Sequence, residues 1–288
     1  MMNSLQTESQ TERIQEIEQI EIKLLLEGIY ETYGYDFRNY AYSSIKRRVW
    51  YRAQIENVNT ISEFQARVLY KPELMQQLLR DFSINVTEMF RDPSFFKAFR
   101  TEIVPVLQKL PFIRIWHAGC SSGEEAYSMA ILLWEEGLYH KTKIYATDMD
   151  EDIIEKAKKG KVSLEQMQLY TKNYQQAGGK KEFSEYYSVE DNYVVLHPFL
   201  KENIVFAHHN LVTDHSFNEF HMIVCRNVLI YFNKKLTNRV YDLFYDSLSD
   251  KGYLGLGSKE SISMYSSADL FDEVNTKEKI YNKKSKVK

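Results

Sequence analysis

The sequence is poor in cysteine and has no long apolar run. Only two of its 288 residues are cysteines, Cys120 and Cys225, which are too few for a disulfide framework and lack metal-ligand spacing. We therefore expect two buried, reduced thiols and no metal site. The longest strongly apolar run, Met129–Trp134, is far too short to cross a bilayer. The polar, acidic first residues also lack the apolar core of a secretion signal, so we expect a cytoplasmic protein without a membrane-inserted segment.

The chain also lacks a large net charge. Its 37 basic and 40 acidic residues leave a net charge of −3, which provides no overall attraction to nucleic acid or to a membrane surface. The hydrophobic share of 44% and the charged share of 27% are typical of a globular protein. A chain of 288 residues has room for about two domains.

The first hundred residues have the pattern of a small helical domain. From Arg13 the apolar residues recur at helical spacing, and further helical patterns cover Tyr42–Gln54, Thr60–Tyr70 and Pro72–Ser83. Pro72 suits the first turn of its helix, and no strand is predicted before Phe112. We therefore predict a flexible polar N-terminus at 1–20, a helical domain with its linker at 21–100, and a different domain at 101–288.

The second domain alternates strands with helices. Short apolar runs predict strands at Ile113–Ala118, Lys143–Thr147, Ile204–His208 and His221–Cys225, with further strands at Gly252–Gly257 and Lys279–Lys283. Helical patterns separate them at Glu124–Glu136, Glu151–Lys159 and Lys234–Ser249. This alternation predicts an α/β domain with a parallel sheet and helices on both of its faces.

One stretch, at about 170–202, departs from this alternation. Phe183–Ser188 and Tyr193–Leu196 are rich in aromatic and β-branched residues, and the polar turn Glu190–Asn192 separates them. This pattern predicts a hairpin. We expect a small antiparallel insertion between the second helix and the third strand of the α/β domain.

The segment Ile113–Tyr127 predicts a nucleotide-like pocket. An apolar strand leads into the small-residue loop Gly119–Gly123, and a helix with Glu124 and Glu125 in its first turn follows at once. Small residues let a ligand approach the backbone, and the helix N-terminus offers unpaired N–H groups. The two acids would repel a pyrophosphate at this terminus. A ligand with an adenosine half and a cationic half fits better, and S-adenosylmethionine is such a ligand.

An acidic residue after the second strand commonly holds a ribose in such folds. Asp148 occupies this place, 25 residues after Gly123, where the usual spacing is about twenty. The alternative is that Asp148 or Asp150 caps the next helix. Since Asp150 directly precedes that helix, we assign the cap to Asp150 and ribose binding to Asp148.

Five sequence blocks together resemble the chemoreceptor glutamate methyltransferases, the CheR family. They are N-V-T-E-M-F-R-D at 85–92, A-G-C-S-S-G-E-E-A-Y-S at 118–128, D-M-D at 148–150, C-R-N-V-L-I-Y-F at 225–232 and G-Y-L-G-L-G-S-K-E-S at 252–261. The resemblance covers roughly Gly34 to Ser261. Met89 replaces a phenylalanine, His117 stands where a serine is common, and Ala126 stands where a proline is common.

This resemblance implies a Rossmann-like class I methyltransferase domain, with its small antiparallel insertion, behind an all-helical N-terminal domain. The residues it implies at the cofactor are Asn85, Thr87, Arg91, one of Glu124 and Glu125, Asp148, Asn210, Leu211, Asn227 and Val228. It implies that Arg91 positions the acceptor carboxylate and that Tyr231 helps to orient it. Two alternatives stay open. In the first, Asn85–Arg91 form a polar loop before a helix that Asp92 caps and that has Pro93 in its first turn. In the second, Tyr231 is a half-buried aromatic residue of the core.

A basic cluster on one predicted helix suggests where an acceptor docks. Its members are Lys46, Arg47, Arg48 and Arg52. A solvated charged face is the alternative, but the resemblance favours contact with an acidic helical substrate, the cytoplasmic methylation region of a chemoreceptor. The implied reaction makes glutamate methyl esters and S-adenosylhomocysteine, and it needs no general base because glutamate is ionised at pH 7.

Further expectations concern docking and assembly. The family's pentapeptide-binding members carry a glycine-rich loop in the insertion, whereas the turn Val189–Tyr193 is acidic and has no glycine. We therefore expect independence from a receptor's C-terminal pentapeptide. We also expect a monomer that is recruited to membrane-bound receptor arrays.

Three other functions are weighed against this one. They are a CheR-like module that binds the cofactor with a non-catalytic role or another protein substrate, a nucleic-acid methyltransferase, and an oxidoreductase. The modest net charge disfavours nucleic acid as a partner, and the acids at the helix N-terminus disfavour a dinucleotide.

Overall fold

The computed structural model describes residues 2–83 and 86–285, and the chain divides into two compact units. The helical unit comprises Met1–Ile84 with Tyr231–Leu236, and the sheet unit comprises Asn85–Ile230 with Thr237–Lys288. The sequence-based boundary lies at 100, but residues 86–100 belong with the sheet unit. The reason is hydrophobic packing, because Phe90, Phe95 and Phe99 are fully buried in its core.

Four helices make up most of the helical unit: α1 (Met2–Tyr33), α2 (Tyr42–Ile55), α3 (Ile61–Tyr70) and α4 (Pro72–Phe82). Helix α1 begins at Met2, so the predicted flexible start at 1–20 is helical where it is described. Helix α1 packs on α3 and α2 packs on α4. Pro72 lies in the first turn of α4, as predicted. None of the helices in the described ranges combines the length and the apolarity that a bilayer crossing requires.

A segment from late in the sequence completes the helical unit. The backbone N–H of Ala41 donates to the Tyr231 carbonyl at 2.8 Å, and the N–H of Asn233 donates to the Asn39 carbonyl at 3.0 Å. The rings of Tyr40 and Phe232 pack edge to face, with centroids 4.9 Å apart. These contacts fix residues 231–233 beside the start of α2.

The sheet unit contains the remaining elements, although the first three residues of its last helix, 234–236, belong to the helical unit. Its helices are α5 (Pro93–Ala98), α6 (Val104–Leu107), α7 (Glu124–Glu135), α8 (Glu151–Lys159), α9 (Met167–Gln176) and α10 (Lys234–Ser247). Its strands are β1 (Ile113–Ala118), β2 (Thr142–Asp148), β3 (Lys161–Ser163), β4 (Tyr187–Glu190), β5 (Tyr193–Leu196), β6 (Ile204–His208), β7 (Phe220–Cys225), β8 (Leu248–Leu256), β9 (Phe271–Asn275) and β10 (Ile280–Lys283).

Seven strands form the main sheet in the order β6-β2-β1-β7-β8-β10-β9. The first five in this order run parallel, and β10 is antiparallel to both of its neighbours, β8 and β9. The predicted mostly parallel sheet is therefore confirmed, although the sequence analysis did not predict β9 or α9. Ala118 lies opposite Thr147 in the register, so β1 and β2 end at the same edge. This edge brings the loop after β1 and the loop after β2 together.

Local signals fix both ends of α8. The Asp150 carboxylate accepts a hydrogen bond from the N–H of Ile153 at 3.2 Å, which confirms Asp150 as the cap. Two acids occupy the first turn and three lysines the last, and both arrangements suit the helix dipole. Gly160 ends the helix in the left-handed conformation.

The insertion is a small antiparallel sheet of order β3-β5-β4. The predicted hairpin is confirmed, but its first strand begins at Tyr187 because Phe183–Tyr186 form a 3₁₀ turn. This turn buries Phe183 and Tyr186 together, three residues apart, against Tyr174. The strand β3, which the sequence did not reveal, pairs with β5.

Candidate functional site

The loop Gly119–Gly123 wraps around the end of β2. The N–H groups of Gly119 and Cys120 both donate to the Thr147 carbonyl, at 2.8 and 2.9 Å. Gly119 has a φ of 77°, and a Cβ there would lie 2.5 Å from a methyl carbon of Val228. Only glycine fits this conformation and this close approach. The loop after β1 is thereby pressed against the loop that follows β7.

Asp148 closes this loop from the end of β2. Its carboxylate accepts from the N–H of Ser121 at 2.9 Å and from the N–H of Asp150 at 3.1 Å. Burial raises the pKa of Asp148, although these N–H groups act in the opposite direction. A carboxylate has about four acceptor positions. Asp148 can therefore receive a ligand hydroxyl in addition to its backbone donors.

Glu125 is engaged inside the protein. One carboxylate oxygen lies 2.9 Å from Nδ1 of His117, and the other accepts from the Arg226 guanidinium at 2.9 Å. Burial would raise the pKa of Glu125, but the bond from His117 and the charge of Arg226 outweigh it and lower the pKa. This side chain already has its cationic partner.

Glu124 has a different environment. Its side chain is buried and accepts a hydrogen bond from the Ser122 hydroxyl at 2.7 Å. Burial raises the pKa of Glu124, and the hydrogen bond from Ser122, which acts to lower the pKa, does not outweigh burial. In the part of the chain that the structure describes, no lysine, arginine or histidine forms an ion pair with it. Of the two acids, Glu124 is the one that can still accept a cation.

The loop Asn227–Ile230, directly after β7 and Arg226, is organised by one carboxylate. Glu260 accepts hydrogen bonds of 2.7–3.3 Å from five backbone N–H groups, those of Asn227, Val228, Leu229, Ile230 and Gly257. Asn227 has a φ of 62°, which is uncommon for a residue with a side chain. A Cβ on Gly257 would lie 2.7 Å from the Glu260 carboxylate. The sequence block at 252–261 contains Glu260, but sequence reasoning gave it no role.

Asn210 and Leu211 follow β6, the neighbour of β2. Asp148 pairs with His208 in the register, so Asn210 lies at the same sheet edge as Asp148. The Asn210 side-chain oxygen accepts from the N–H of Val212 at 2.9 Å, which fixes the turn. Both Asn210 and Leu211 are buried.

The segment that contains Arg91 is a strained turn. Phe90 and Asp92 have φ values of 52° and 54°, and conformations of this kind persist only when their surroundings hold them. The Arg91 side chain is partly exposed and donates to the Val86 carbonyl at 3.2 Å. The Thr87 carbonyl accepts from the Tyr170 hydroxyl at 3.4 Å. The predicted cofactor residue Asn85 lies outside the described residues.

Asp92 precedes α5 but makes no side-chain cap. Its carboxylate instead accepts from Arg226 at 2.6 Å, which corrects the expected capping role. The Arg226 guanidinium also donates to the Arg91 carbonyl at 3.1 Å and lies over the Phe95 ring, 4.4 Å from its centroid. Sequence reasoning missed Arg226 and His117. The sequence signal that could have identified both residues is a charged or titratable residue within a predicted buried strand or next to one.

The basic cluster on α2 is only partly a surface feature. Arg48 is 4% exposed and donates to the Phe82 carbonyl at 2.9 Å, with its guanidinium carbon 4.7 Å from the centroid of the Tyr231 ring. Burial lowers the pKa of Arg48. Its Nε and one terminal nitrogen have no hydrogen-bond partner in the described residues. The sequence placed this arginine on an exposed face, and the packing of α2 on α4 places it inside.

The other three cations of the cluster differ among themselves. Lys46 forms an ion pair with Glu18 at 2.6 Å, and Arg52 forms one with Asp81 at 2.6 Å. Arg47 is exposed. Among the described residues, Arg47 is therefore the predicted docking residue that is exposed without an ion pair, whereas Lys46 is partly exposed but paired.

The variant Glu260→Gln should disorder the loop that follows β7. An amide has only one oxygen, and its NH₂ group would face backbone donors, so some of the five bonds must be lost. We expect the free energy of unfolding to fall by about 1–3 kcal/mol and the amides of 227–230 to exchange hydrogen at least about tenfold faster. Hydrogen exchange with mass spectrometry measures this.

Glu219→Gln serves as the matched control, because Glu219 is an exposed acid before β7. It should leave both quantities unchanged. Protection of residues 227–230 that survives in Glu260→Gln would contradict the role given to this carboxylate.

Two family models match the chain. The model described as CheR methyltransferase, all-alpha domain, matches residues 20–83. The model described as CheR methyltransferase, SAM binding domain, matches residues 85–280.

Three similar proteins have matching lengths. The chain is 47% identical over 264 residues to the Pseudomonas putida protein Cher3, which covers 92% of this chain and 97% of that protein. It is 31% identical over 231 residues to a chemotaxis protein methyltransferase of Listeria innocua, with coverage of 80% and 85%. It is 28% identical over 258 residues to a chemotaxis protein methyltransferase of Borreliella burgdorferi, with coverage of 84% and 88%.

These matches cover both units and agree with the class I methyltransferase sheet and with the helical unit. The chain therefore belongs to the CheR family of chemotaxis methyltransferases, and its cofactor is S-adenosylmethionine.

Proposed function

We propose that this protein transfers a methyl group from S-adenosylmethionine to glutamate side chains in the cytoplasmic methylation region of chemoreceptors. The observation that carries the proposal is the pair of buried carboxyl groups at the sheet edge. Asp148 has a spare acceptor position, and Glu124 has no cationic partner among the residues that the structure describes. The pair suits a ligand that has both ribose hydroxyls and a positive charge. The names of the similar proteins support chemoreceptors as substrates.

Residues from five segments of the chain would hold the cofactor. Asp148 would accept the ribose hydroxyls, and Asn210 and Leu211 would flank the adenine. Glu124, rather than Glu125, would face the cationic methionine end, because Glu125 already pairs with Arg226. Asn227 and Val228 would line the site near the sulfonium, while Asn85 and Thr87 would contribute from the segment before Arg91. When bound, S-adenosylmethionine supplies an electrophilic methyl group.

The acceptor needs orientation more than activation. A glutamate carboxylate has a reference pKa near 4.3, so it is ionised at neutral pH and no general base is required. Arg91 would hold the carboxylate by a charge-assisted hydrogen bond. Positioning of this kind supplies roughly 7–11 kcal/mol of a barrier in favourable cases. Loose rather than tight pairing is needed, since a strong ion pair would reduce the nucleophilicity of the carboxylate.

The helical unit would recognise the acidic receptor segment. The exposed Arg47 offers a steering charge, and Arg48 lies beside Tyr231 with donors that no other described residue pairs. A buried arginine without an anionic partner is unfavourable, so a carboxylate that reaches it would be bound well. Tyr231 would orient that carboxylate through its ring and hydroxyl.

The turn of the insertion supports independence from the receptor's C-terminal pentapeptide. Residues 190–192 join β4 to β5, and Asp191 takes the positive φ of 49° that the turn requires. Glu190 and Asp191 give this turn a negative charge, which would repel a peptide carboxylate. Recognition would therefore depend on the methylation region itself.

Labelled S-adenosylmethionine and purified receptor cytoplasmic domains test the proposed reaction. We expect label in the receptor that mild alkali releases as methanol, as a carboxyl ester requires. Receptors with and without the last five residues should be methylated at similar rates.

Three outcomes would contradict parts of this proposal. Alkali-stable label would exclude a glutamate ester. Tight cofactor binding without transfer would favour the non-catalytic module. Strict dependence on the receptor tail would overturn only the pentapeptide statement.

Asp148→Asn should weaken cofactor binding. The carboxylate loses its charge and an acceptor oxygen, and a hydrogen bond to a charged group contributes about 1.5–3 kcal/mol. The Kd for S-adenosylmethionine should rise about ten- to hundredfold in calorimetry. Glu151→Gln, an exposed acid in the first turn of α8, is the control and should bind normally. Unchanged affinity in Asp148→Asn would remove Asp148 from the site.

Glu124 should make cofactor binding depend on pH. Its pKa is raised above the ordinary 4.5 in the free protein, and a cation beside it would lower the pKa again. Binding should therefore release a proton, and the affinity should increase as the pH rises through the raised pKa. Glu124→Gln should bind about tenfold more weakly and release fewer protons.

Calorimetry in buffers of different ionisation enthalpy measures these protons. Glu125→Gln is the matched comparison on the same helical turn. It should keep the proton release, because the pKa of Glu125 is already lowered by His117 and Arg226. Proton release that disappears in Glu125→Gln and persists in Glu124→Gln would reverse the assignment.

A further inference from the structure

His117 is a polar side chain at a fully buried position of β1. It has no exposed surface, and its neighbours Ile115 and Trp116 on the strand are also fully buried. Nδ1 donates to Glu125, whose lowered pKa keeps it ionised. Nε2 has no hydrogen-bond partner in the residues that the structure describes. An unpaired buried polar atom is unfavourable, so packing alone does not explain a histidine here.

The bond from His117 fixes one end of Glu125. A glutamate side chain has three rotatable bonds, and a single partner would leave its carboxylate free to turn. With His117 on one oxygen and Arg226 on the other, the orientation of the carboxylate is set. A serine at this position would have its oxygen one bond closer to the backbone than Nδ1 is.

Arg226 links the Glu125 carboxylate to the segment that contains Arg91. The guanidinium that binds Glu125 also binds the Arg91 carbonyl and the Asp92 carboxylate. That segment has two left-handed residues, Phe90 and Asp92, which are strained without external support. The same segment presents the Arg91 side chain.

We propose that His117 is a positioning residue for methyl transfer, acting through Glu125 and Arg226 on the backbone of Arg91. The proposal rests on the proposed function, in which Arg91 holds the acceptor carboxylate. His117 itself touches neither substrate nor cofactor. Because a displacement of about 1 Å far from the chemistry can reduce a rate a hundredfold, loss of the His117 bond should reduce kcat more than binding.

Three substitutions of His117 distinguish the effect of losing its hydrogen bond to Glu125 from the effect of losing its packing. The amide nitrogen of asparagine lies where Nδ1 lies, that of glutamine lies nearer to Nε2, and alanine has neither. His117→Ala and His117→Gln should lower kcat about tenfold, with KM and the Kd for S-adenosylmethionine within about twofold of the unchanged protein. His117→Asn should restore kcat to within about threefold.

The matched control is His221→Ala. His221 is a half-buried histidine on β7 that accepts from the N–H of Arg114 at 3.0 Å, at the opposite end of the sheet. It should leave kcat unchanged. If His117→Ala does not fold, His117→Ser replaces it, with the same expected loss of kcat.

Two further measurements make the result decisive. In a Glu125→Gln background, His117→Ala should cause no additional loss, because the two residues act in one chain of contacts. Hydrogen exchange at the amides of 90–92 measures how firmly the Arg91 segment is held in place, and it requires no substrate. It should become about tenfold faster in His117→Ala and stay slow in His117→Asn.

Unchanged exchange and unchanged kcat in His117→Ala would overturn the proposal. So would an asparagine variant as impaired as the alanine variant, or a loss confined to cofactor affinity. Failure of the unchanged protein to form any methyl ester would refute the proposed function alone, since the exchange measurement still decides the role of His117.

Discussion

The buried guanidinium of Arg226 forms the interactions on which the carboxyl-terminal edge of the main sheet depends. It stands at the end of β7 and binds an acid from α7, a backbone carbonyl and an acid from the Arg91 segment, and it lies over a phenylalanine ring. A buried cation with fewer anionic partners would be strongly unfavourable. Its presence therefore requires Glu125 and Asp92 where they are, and it ties three distant parts of the sequence together.

The carboxyl groups at this edge differ in how far the protein itself satisfies them. Glu260 has five backbone donors, Glu125 has a histidine and an arginine, and Asp148 has backbone donors that include the N–H groups of Ser121 and Asp150. Glu124 has one hydroxyl. The less satisfied groups, Asp148 and Glu124, are those expected to contact the ligand. The more satisfied groups hold the loops that surround it, because burial without partners is unfavourable for a charge.

Much of the fold could be predicted from the sequence, and the reasons are local. Short apolar runs gave β1 and β6 without error, and the capping chemistry of Asp150 gave the start of α8. The 3₁₀ turn at 183–186 was taken as a strand because aromatic residues suit both structures. Arg48 and Arg52 share a helix face as spacing predicts, but the sequence did not reveal that Arg48 on this face is buried under Tyr231.

The sequence by itself determined the family, the cofactor and the order of the elements, because motifs and periodicity lie in contiguous residues. Tertiary structure decided which acid of the Glu124–Glu125 pair is already neutralised, since the cation that does so is Arg226, 101 positions away from Glu125. It likewise decided the role of Glu260, which reaches back 30–33 positions to the loop after β7. Partners so remote in sequence are brought together by parallel strands that end at a common edge, and no local pattern encodes that meeting.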